Sequence, residues 1–184
     1  AAGRRCKGGA RRTMKRPLLA LALGSLASAG CTTTGSGHSL ASTPHDYPEA
    51  RLYDSSVDAK SNVAAALERA EASGKLVLIS MGANWCHDSR AFAGWMEKPR
   101  FQQLIADKYE LVYVNVGMPQ SKDGHNLDIA ERFGVGIEGT PTVLIVSAAG
   151  ELLNAGSATS WRNTATRSED AIFDELASYP TTAG

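Results

Sequence analysis

The sequence predicts an α/β fold, a central mixed β-sheet flanked by helices on both faces. Three observations carry this. Short, nearly continuous apolar runs alternate with segments whose apolar residues recur at helical spacing. The last apolar runs are separated by a turn and read as a hairpin. Hydrophobic residues make up 43% and charged residues 21%, ordinary globular values that argue against wholesale disorder or collagen-like order. At 184 residues the chain holds one domain with sequence to spare, and no internal repeat is visible.

The spare sequence lies at the amino-terminal side. Residues 1–13, with Cys6, read as an upstream extension before a start at Met14. Lys15 and Arg16 then precede an uncharged run from Pro17 to Gly30, which is too short to span a bilayer as a helix. It has the size and charge order of a secretory signal over residues 14–30. The end, Ser28-Ala29-Gly30-Cys31, resembles a bacterial lipobox, with Ser28 standing where leucine is usual. That resemblance implies a lipid-modified Cys31 and an envelope protein anchored on the periplasmic face of a membrane. Plain cleavage after a small residue such as Ala29 is the alternative. Thr32 lacks the acidic signal that retains such proteins in the inner membrane, so the outer membrane is preferred. Residues 31–50, rich in Ser, Thr, Gly and Pro, read as a flexible tether.

The domain is expected over residues 51–180. Asp58 to Ser73 carries Val63, Ala66, Leu67 and Ala70 at helical spacing, and Gly74 is a suitable stop. Lys75 to Met81 is an apolar run suited to a central strand buried on both faces. A second helix follows Cys86 to about Glu97, and Pro99 opens a third through Phe101, Leu104 and Ile105. Leu111 to Val116 is another buried strand. Leu127, Ile129, Ala130 and Phe133 suggest a short helix closed by Gly134. Thr142 to Val146, a turn at Ala149-Gly150 and Glu151 to Leu153 give the hairpin, and Ala171, Ile172, Phe173 and Leu176 a closing helix. The order is α β α β α β β α.

Charge narrows the function. Residues 1–31 hold seven of the nineteen basic residues and no acidic one, which leaves the rest of the chain with a net charge of −7. Such an acidic body argues against nucleic acid, whose phosphates need a basic stripe. Three cysteines, Cys6, Cys31 and Cys86, are too few and too scattered for a disulfide framework or a structural zinc site. His38, His45 and His125 are scattered too, so no metal is expected. Without a phosphate-cradling glycine loop, no cofactor is expected either.

Two short stretches carry chemistry. Trp85-Cys86-His87-Asp88-Ser89 follows the first buried strand and opens a helix, and Gly139-Thr140-Pro141-Thr142 sits just before the hairpin. Together, in this order and beside these elements, they resemble the thioredoxin superfamily over about residues 55–180. That resemblance implies a thioredoxin-like fold in which the Cys86 loop and a cis Thr140–Pro141 loop meet. Thr140 and Pro141 are then recognition residues that pair with an extended substrate segment. The chemistry of Cys86 has its own physical basis. A thiol reacts as thiolate, and a helix amino terminus offers unpaired N–H groups and partial positive charge that favour it. Trp85 shields the site and forms part of a partner-binding surface.

The departures matter as much. The resolving cysteine of the family is Ser89 here, so no disulfide closes within the loop. Cys86 can form a mixed disulfide but needs an outside thiol to finish. Ser89 either donates its hydroxyl to the Cys86 sulfur or fills the space of a lost cysteine. The family's buried acid, six residues before the nucleophile, corresponds to Ser80. His87, if protonated, favours a thiolate, and Asp88 opposes it. The segment Gly117 to Asn126 is longer than in a minimal thioredoxin and can modify the site's rim. Phe92, Trp95 and Met96 read as packing residues, and Trp161 as surface or core. The expected function is single-thiol disulfide exchange through Cys86, acting on disulfide-containing proteins or small thiols such as glutathione. The alternative is a redox-inactive binding module that holds extended peptides in the Trp85/Pro141 groove.

Overall fold

The computed structural model describes residues 46–181. The expected extension, signal and lipidated Cys31, most of the tether, Cys6, His38 and His45 lie outside the described residues. Helix α1 (Ala59–Ser73) begins where Asp58, in extended conformation, accepts the Ser61 N–H at 3.1 Å, satisfying a donor that the first turn leaves unpaired. It ends at Gly74, whose left-handed φ of 73° returns its N–H to the Ala70 carbonyl at 2.8 Å. Strand β1 (Leu76–Gly82) is buried along its whole length because it is the middle strand. It pairs parallel with β2 (Tyr109–Asn115), Leu76 opposite Tyr109 and Gly82 opposite Asn115. On its other side it pairs antiparallel with β3 (Thr142–Val146), Val77 opposite Val146. The sheet is mixed, in the order β2-β1-β3. Parallel neighbours need a crossover, and α2 (His87–Met96) and α3 (Pro99–Lys108) supply it. The short α4 (Asp128–Glu131) follows β2, and α5 (Glu169–Ser178) closes the domain.

Strand alternation divides the core in two. Val77, Ile79 and Met81 of β1, with Leu144 and Val146 of β3, pack beneath Val63, Ala66 and Ala70 of α1 and Ile129 and Ala130 of α4. Leu76, Leu78, Val143 and Ile145 face the other way, onto Phe92, Trp95 and Met96 of α2, Phe101 of α3, and Ile172 and Leu176 of α5. Helices therefore cover both faces, as the sequence predicts. Five apolar β1 side chains are fully buried, each contributing about 1.5–3 kcal/mol. The strand that leads into the Cys86 loop is thus anchored from both sides.

Three expectations need correction, and the open choice for Trp161 is settled. The second strand starts at Tyr109, two residues early, because Tyr109 is buried and its hydroxyl donates to the Leu176 carbonyl of α5. The hairpin is reduced to one bridge, between Val146 and Leu152. Asn154 takes over the edge of β3: its Oδ1 accepts the Ile145 N–H and its Nδ2 donates to the Val143 carbonyl, both at 2.8 Å. A side-chain amide thereby does what a second strand's backbone would do. Trp161 is core, fully buried in a 3₁₀ segment (Ser160–Thr166) that the sequence did not suggest, and meets Phe92 edge-on at 5.5 Å. Finally, the tether ends before residue 50. Ala50 N–H donates to the Arg90 carbonyl at 3.0 Å, and Pro48 lies so close to α2 that a Cβ on Gly94 would meet its carbonyl carbon at 2.4 Å.

Candidate active site

The site forms where β1 ends and α2 begins. Cys86 is the N-cap of α2, in extended conformation, and its carbonyl accepts the Arg90 N–H at 3.1 Å. Its side chain does not cap the helix. Instead Sγ lies 3.1 Å from the Thr140 carbonyl oxygen, toward which the S–H donates. The sulfur therefore stands at the amino terminus of α2, where unpaired N–H groups and the helix dipole favour negative charge. Cys86 is 8% exposed, so a partner disulfide must seat closely to reach it. The Thr140–Pro141 peptide is cis, and Thr142 Oγ1 donates to the Gly139 carbonyl at 2.9 Å, which closes the turn presenting Thr140. Residues 54 apart in sequence are thus in direct contact at the thiol.

Trp85 is half exposed, and its indole Nε1 donates to the Gly117 carbonyl at 2.8 Å. The expected rim segment therefore does shape the site, by holding the indole. Gly117 has a φ of +62°, and a Cβ there would meet the Asp123 carbonyl oxygen at 2.3 Å, so only glycine fits. Asn115, at the end of β2, accepts the Gly117 N–H through Oδ1 at 2.8 Å, and Nδ2 donates to the Tyr53 carbonyl at 2.9 Å. Asn84 donates to the same carbonyl at 2.9 Å and accepts the Tyr53 N–H at 3.2 Å. His125 belongs to this rim, its Nε2 lying 3.0 Å from Asn115 Oδ1.

Ser89 is fully buried, and its Oγ accepts the Ala83 N–H at 3.3 Å. Among the described hydrogen bonds it does not reach the Cys86 sulfur. Beneath it, Tyr53 and Ser80 share a buried hydroxyl–hydroxyl bond of 2.8 Å. Burial pushes the Tyr53 phenol well up, so this pair stays neutral where an acid would ionise. Gly82 is required here too, since a Cβ would meet Ser89 Oγ at 2.6 Å and the Tyr53 ring at 2.7 Å. The contest expected between His87 and Asp88 at the sulfur is diverted. Asp88 is buried, and its Oδ1 accepts the Ala165 N–H of the 3₁₀ segment at 2.8 Å. Its Oδ2 lies 3.1 Å from Nε2 of the exposed His87. Among the described residues no group of His, Cys, Asp and Glu is arranged to hold a metal ion.

A family model described as thioredoxin-like matches residues 58–148, a span that includes both the Cys86 turn and the cis-proline loop. The disulphide isomerase from Xylella fastidiosa Temecula1 matches with a TM-score of 0.62 and 29% identity, covering 70% of this chain and 95% of its own. The chain belongs to the thioredoxin-like superfamily. A thioredoxin from Thermus thermophilus is a more distant similarity, with a TM-score of 0.44 and 22% identity over 62% of this chain and 80% of its own. No curated protein matches.

In this thioredoxin-like protein, Trp85, Cys86, Thr140 and Pro141 come together as the sequence motifs imply, while Ser89 lies behind them and His87 points outward. Sequence reasoning passed over Arg90. Its Nε and Nη2 pair with Glu49 at 3.0 and 3.1 Å, and its Nη1 donates to the carbonyls of Asn84 at 3.2 Å and Trp85 at 3.0 Å. Its spacing was the available signal, because the fourth residue after Cys86 returns to the same face of the helix. Its acidic partner was hidden in what read as tether.

Proposed function

We propose that this thioredoxin-like protein performs single-thiol disulfide exchange through Cys86. The observation that carries the reading is the placement of Sγ, at the amino terminus of α2 and 3.1 Å from the Thr140 carbonyl of the cis-proline loop. In the forward step the Cys86 thiolate attacks one sulfur of a partner disulfide. A bond forms between Sγ and that sulfur, the partner's S–S bond breaks, and the electron pair leaves on the other sulfur as a thiolate. With Ser89 in the resolving position, a second thiol from outside, such as glutathione, attacks the mixed disulfide. Cys86 is released as thiolate, and the partner sulfur stays joined to the incoming thiol. The extended partner segment lies along Thr140 and Pro141, and the half-exposed Trp85 covers its side. The similarity to a disulphide isomerase supports this class of chemistry.

Insulin reduction tests the reading. The wild type should turn over only when glutathione is supplied, whereas Ser89→Cys, reduced beforehand, should reduce one insulin disulfide per chain without it by closing a disulfide within its own loop. A wild type inert with glutathione present contradicts enzymatic exchange. The low exposure of Cys86 favours a second reading, a peptide-binding module in the Trp85/Pro141 groove. Under it, Cys86→Ala keeps full peptide affinity and no variant exchanges disulfides.

We further propose that the domain works in the cell envelope, lipid-anchored through Cys31 on the periplasmic face. The support is the Ser28-to-Cys31 sequence and the basic-then-apolar order before it. Mass spectrometry of membrane-extracted protein should find an acylated Cys31 as the first residue, and an unmodified start elsewhere contradicts the anchor. Among the described residues no helix is long and apolar enough to cross a membrane.

A further inference from the structure

The turn that presents Cys86 is held from outside the motif. Asn84, Trp85 and Cys86 connect β1 to α2, and the carbonyls of Asn84 and Trp85 both accept hydrogen bonds from a single nitrogen, Nη1 of Arg90. The other side of the same guanidinium is taken by Glu49 in a two-point pairing at 3.0 and 3.1 Å. A planar fork can satisfy carbonyls on one edge and a carboxylate on another at once, which a lysine ammonium cannot match. Glu49 in turn belongs to a segment fixed to α2 by the Ala50 N–H to Arg90 carbonyl bond and by the contact of Pro48 with Gly94. The arginine is mostly buried, with 15% of its side chain exposed. Its charged form is strengthened first by the hydrogen bond with Glu49, and Cys86 is among the groups whose charge adds to it.

We propose that Arg90, held by Glu49, is the positioning residue of the Cys86 turn, fixing the Trp85–Cys86 backbone and placing a cation in the field of the thiolate. This rests on the disulfide-exchange reading above. Two consequences follow, both on the step in which the Cys86 thiolate displaces a thiolate from glutathione disulfide. Losing the cation disfavours the reduced, charged form of Cys86. The mixed disulfide is then more stable relative to it, and attack is slower because less thiolate is present.

The test uses the full chain and glutathione disulfide. Arg90→Gln should raise the equilibrium constant for the mixed disulfide about fivefold and slow its formation about threefold. Arg90→Lys keeps the charge without the fork and should fall between the variant and wild type. Glu49→Gln frees the fork and also removes a negative charge paired with it, so it should shift both quantities by a smaller factor than Arg90→Gln does. Unfolding midpoints measured alongside separate this from a merely structural role, which lowers stability but leaves the equilibrium constant unmoved. Equal equilibrium constants in wild type, Arg90→Gln and Glu49→Gln overturn the inference, and so does Arg90→Lys matching wild type in both quantities. If Arg90→Gln does not fold, Glu49→Gln, which retains the arginine, decides by the same criterion. A wild type that forms no mixed disulfide at all overturns the exchange reading itself, and this inference with it.

Discussion

Cys86 shows how a single position acquires chemistry from its surroundings. Its thiol is set by a helix start, a carbonyl from a distant loop and an exposed indole, all of which the two motifs made legible. What the sequence left undecided was where polar neighbours point. Asp88 is adjacent to the thiol in sequence, yet its carboxylate is spent on Ala165 and His87. Ser89 is turned to the Ala83 N–H. Such directions depend on tertiary partners, and nothing in the spacing of His87, Asp88 and Ser89 encodes them. Asp88 accordingly has a structural consequence. Asp88→Ala leaves the Ala165 N–H without its acceptor in a part-buried place, at a cost of about 1–3 kcal/mol. A lowered urea midpoint checks this, whereas an unchanged midpoint shows that the bond to Ala165 contributes nothing net. Arg90 was passed over for a related reason: its spacing from Cys86 marks only a shared helix face, while its importance lies in carbonyls and in Glu49, and no side-chain motif records a bond to a backbone oxygen.

At the scale of elements, burial wrote its pattern strongly and edges wrote theirs weakly. β1 reads as a central strand because both its faces are covered, and α1 because its apolar stripe and its Asp58 and Gly74 ends agree. The hairpin misled because Glu151 to Leu153 has strand-like residues, while the pairing is settled by Asn154. An asparagine in a polar stretch signals a turn far more often than a substitute for a strand. The 3₁₀ segment was missed because its only apolar anchor, Trp161, has no periodic companions. The Asn154 assignment is testable. Asn154→Ala removes the acceptor of the Ile145 N–H and the donor to the Val143 carbonyl and should cost about 2–3 kcal/mol, with faster amide exchange at Ile145 than in the wild type. Unchanged exchange at Ile145 shows that the edge is held by other means. The pinning of Trp85 by Gly117 belongs to this scale as well, since one loop after β2 fixes the side chain that flanks the thiol.

The whole molecule couples this site to a two-sided core that buries Tyr53 and Tyr109 and half-buries Tyr113. Tyr53, Tyr109 and Tyr113 have phenols pushed well above the usual value of 10, chiefly by burial. The fold therefore holds the neutral form. Below pH 10 these groups are neutral in both states and the stabilisation is fully present. Above it the unfolded chain releases protons that the folded chain keeps, and stability falls as pH rises toward the folded values. Each tyrosine contributes a slope of about 1.4 kcal/mol per pH unit in that window. Urea midpoints followed across this range should decline steeply, and Tyr53→Phe should flatten the decline, since it removes one titrating phenol. A decline of equal slope in that variant contradicts the assignment. Tyr53 also ties this behaviour to the site, because its carbonyl and hydroxyl support Asn84, Asn115 and Ser80. The central claim, that Cys86 is an exchanging thiol with no resolving partner, is tested most directly by mass spectrometry after incubation with glutathione disulfide. Exchange at Cys86 predicts a glutathione mapped to Cys86 by peptide analysis, persisting until an external thiol is added and missing from the same peptide of Cys86→Ser. A chain that acquires no adduct at Cys86, or sheds one without added thiol, contradicts it.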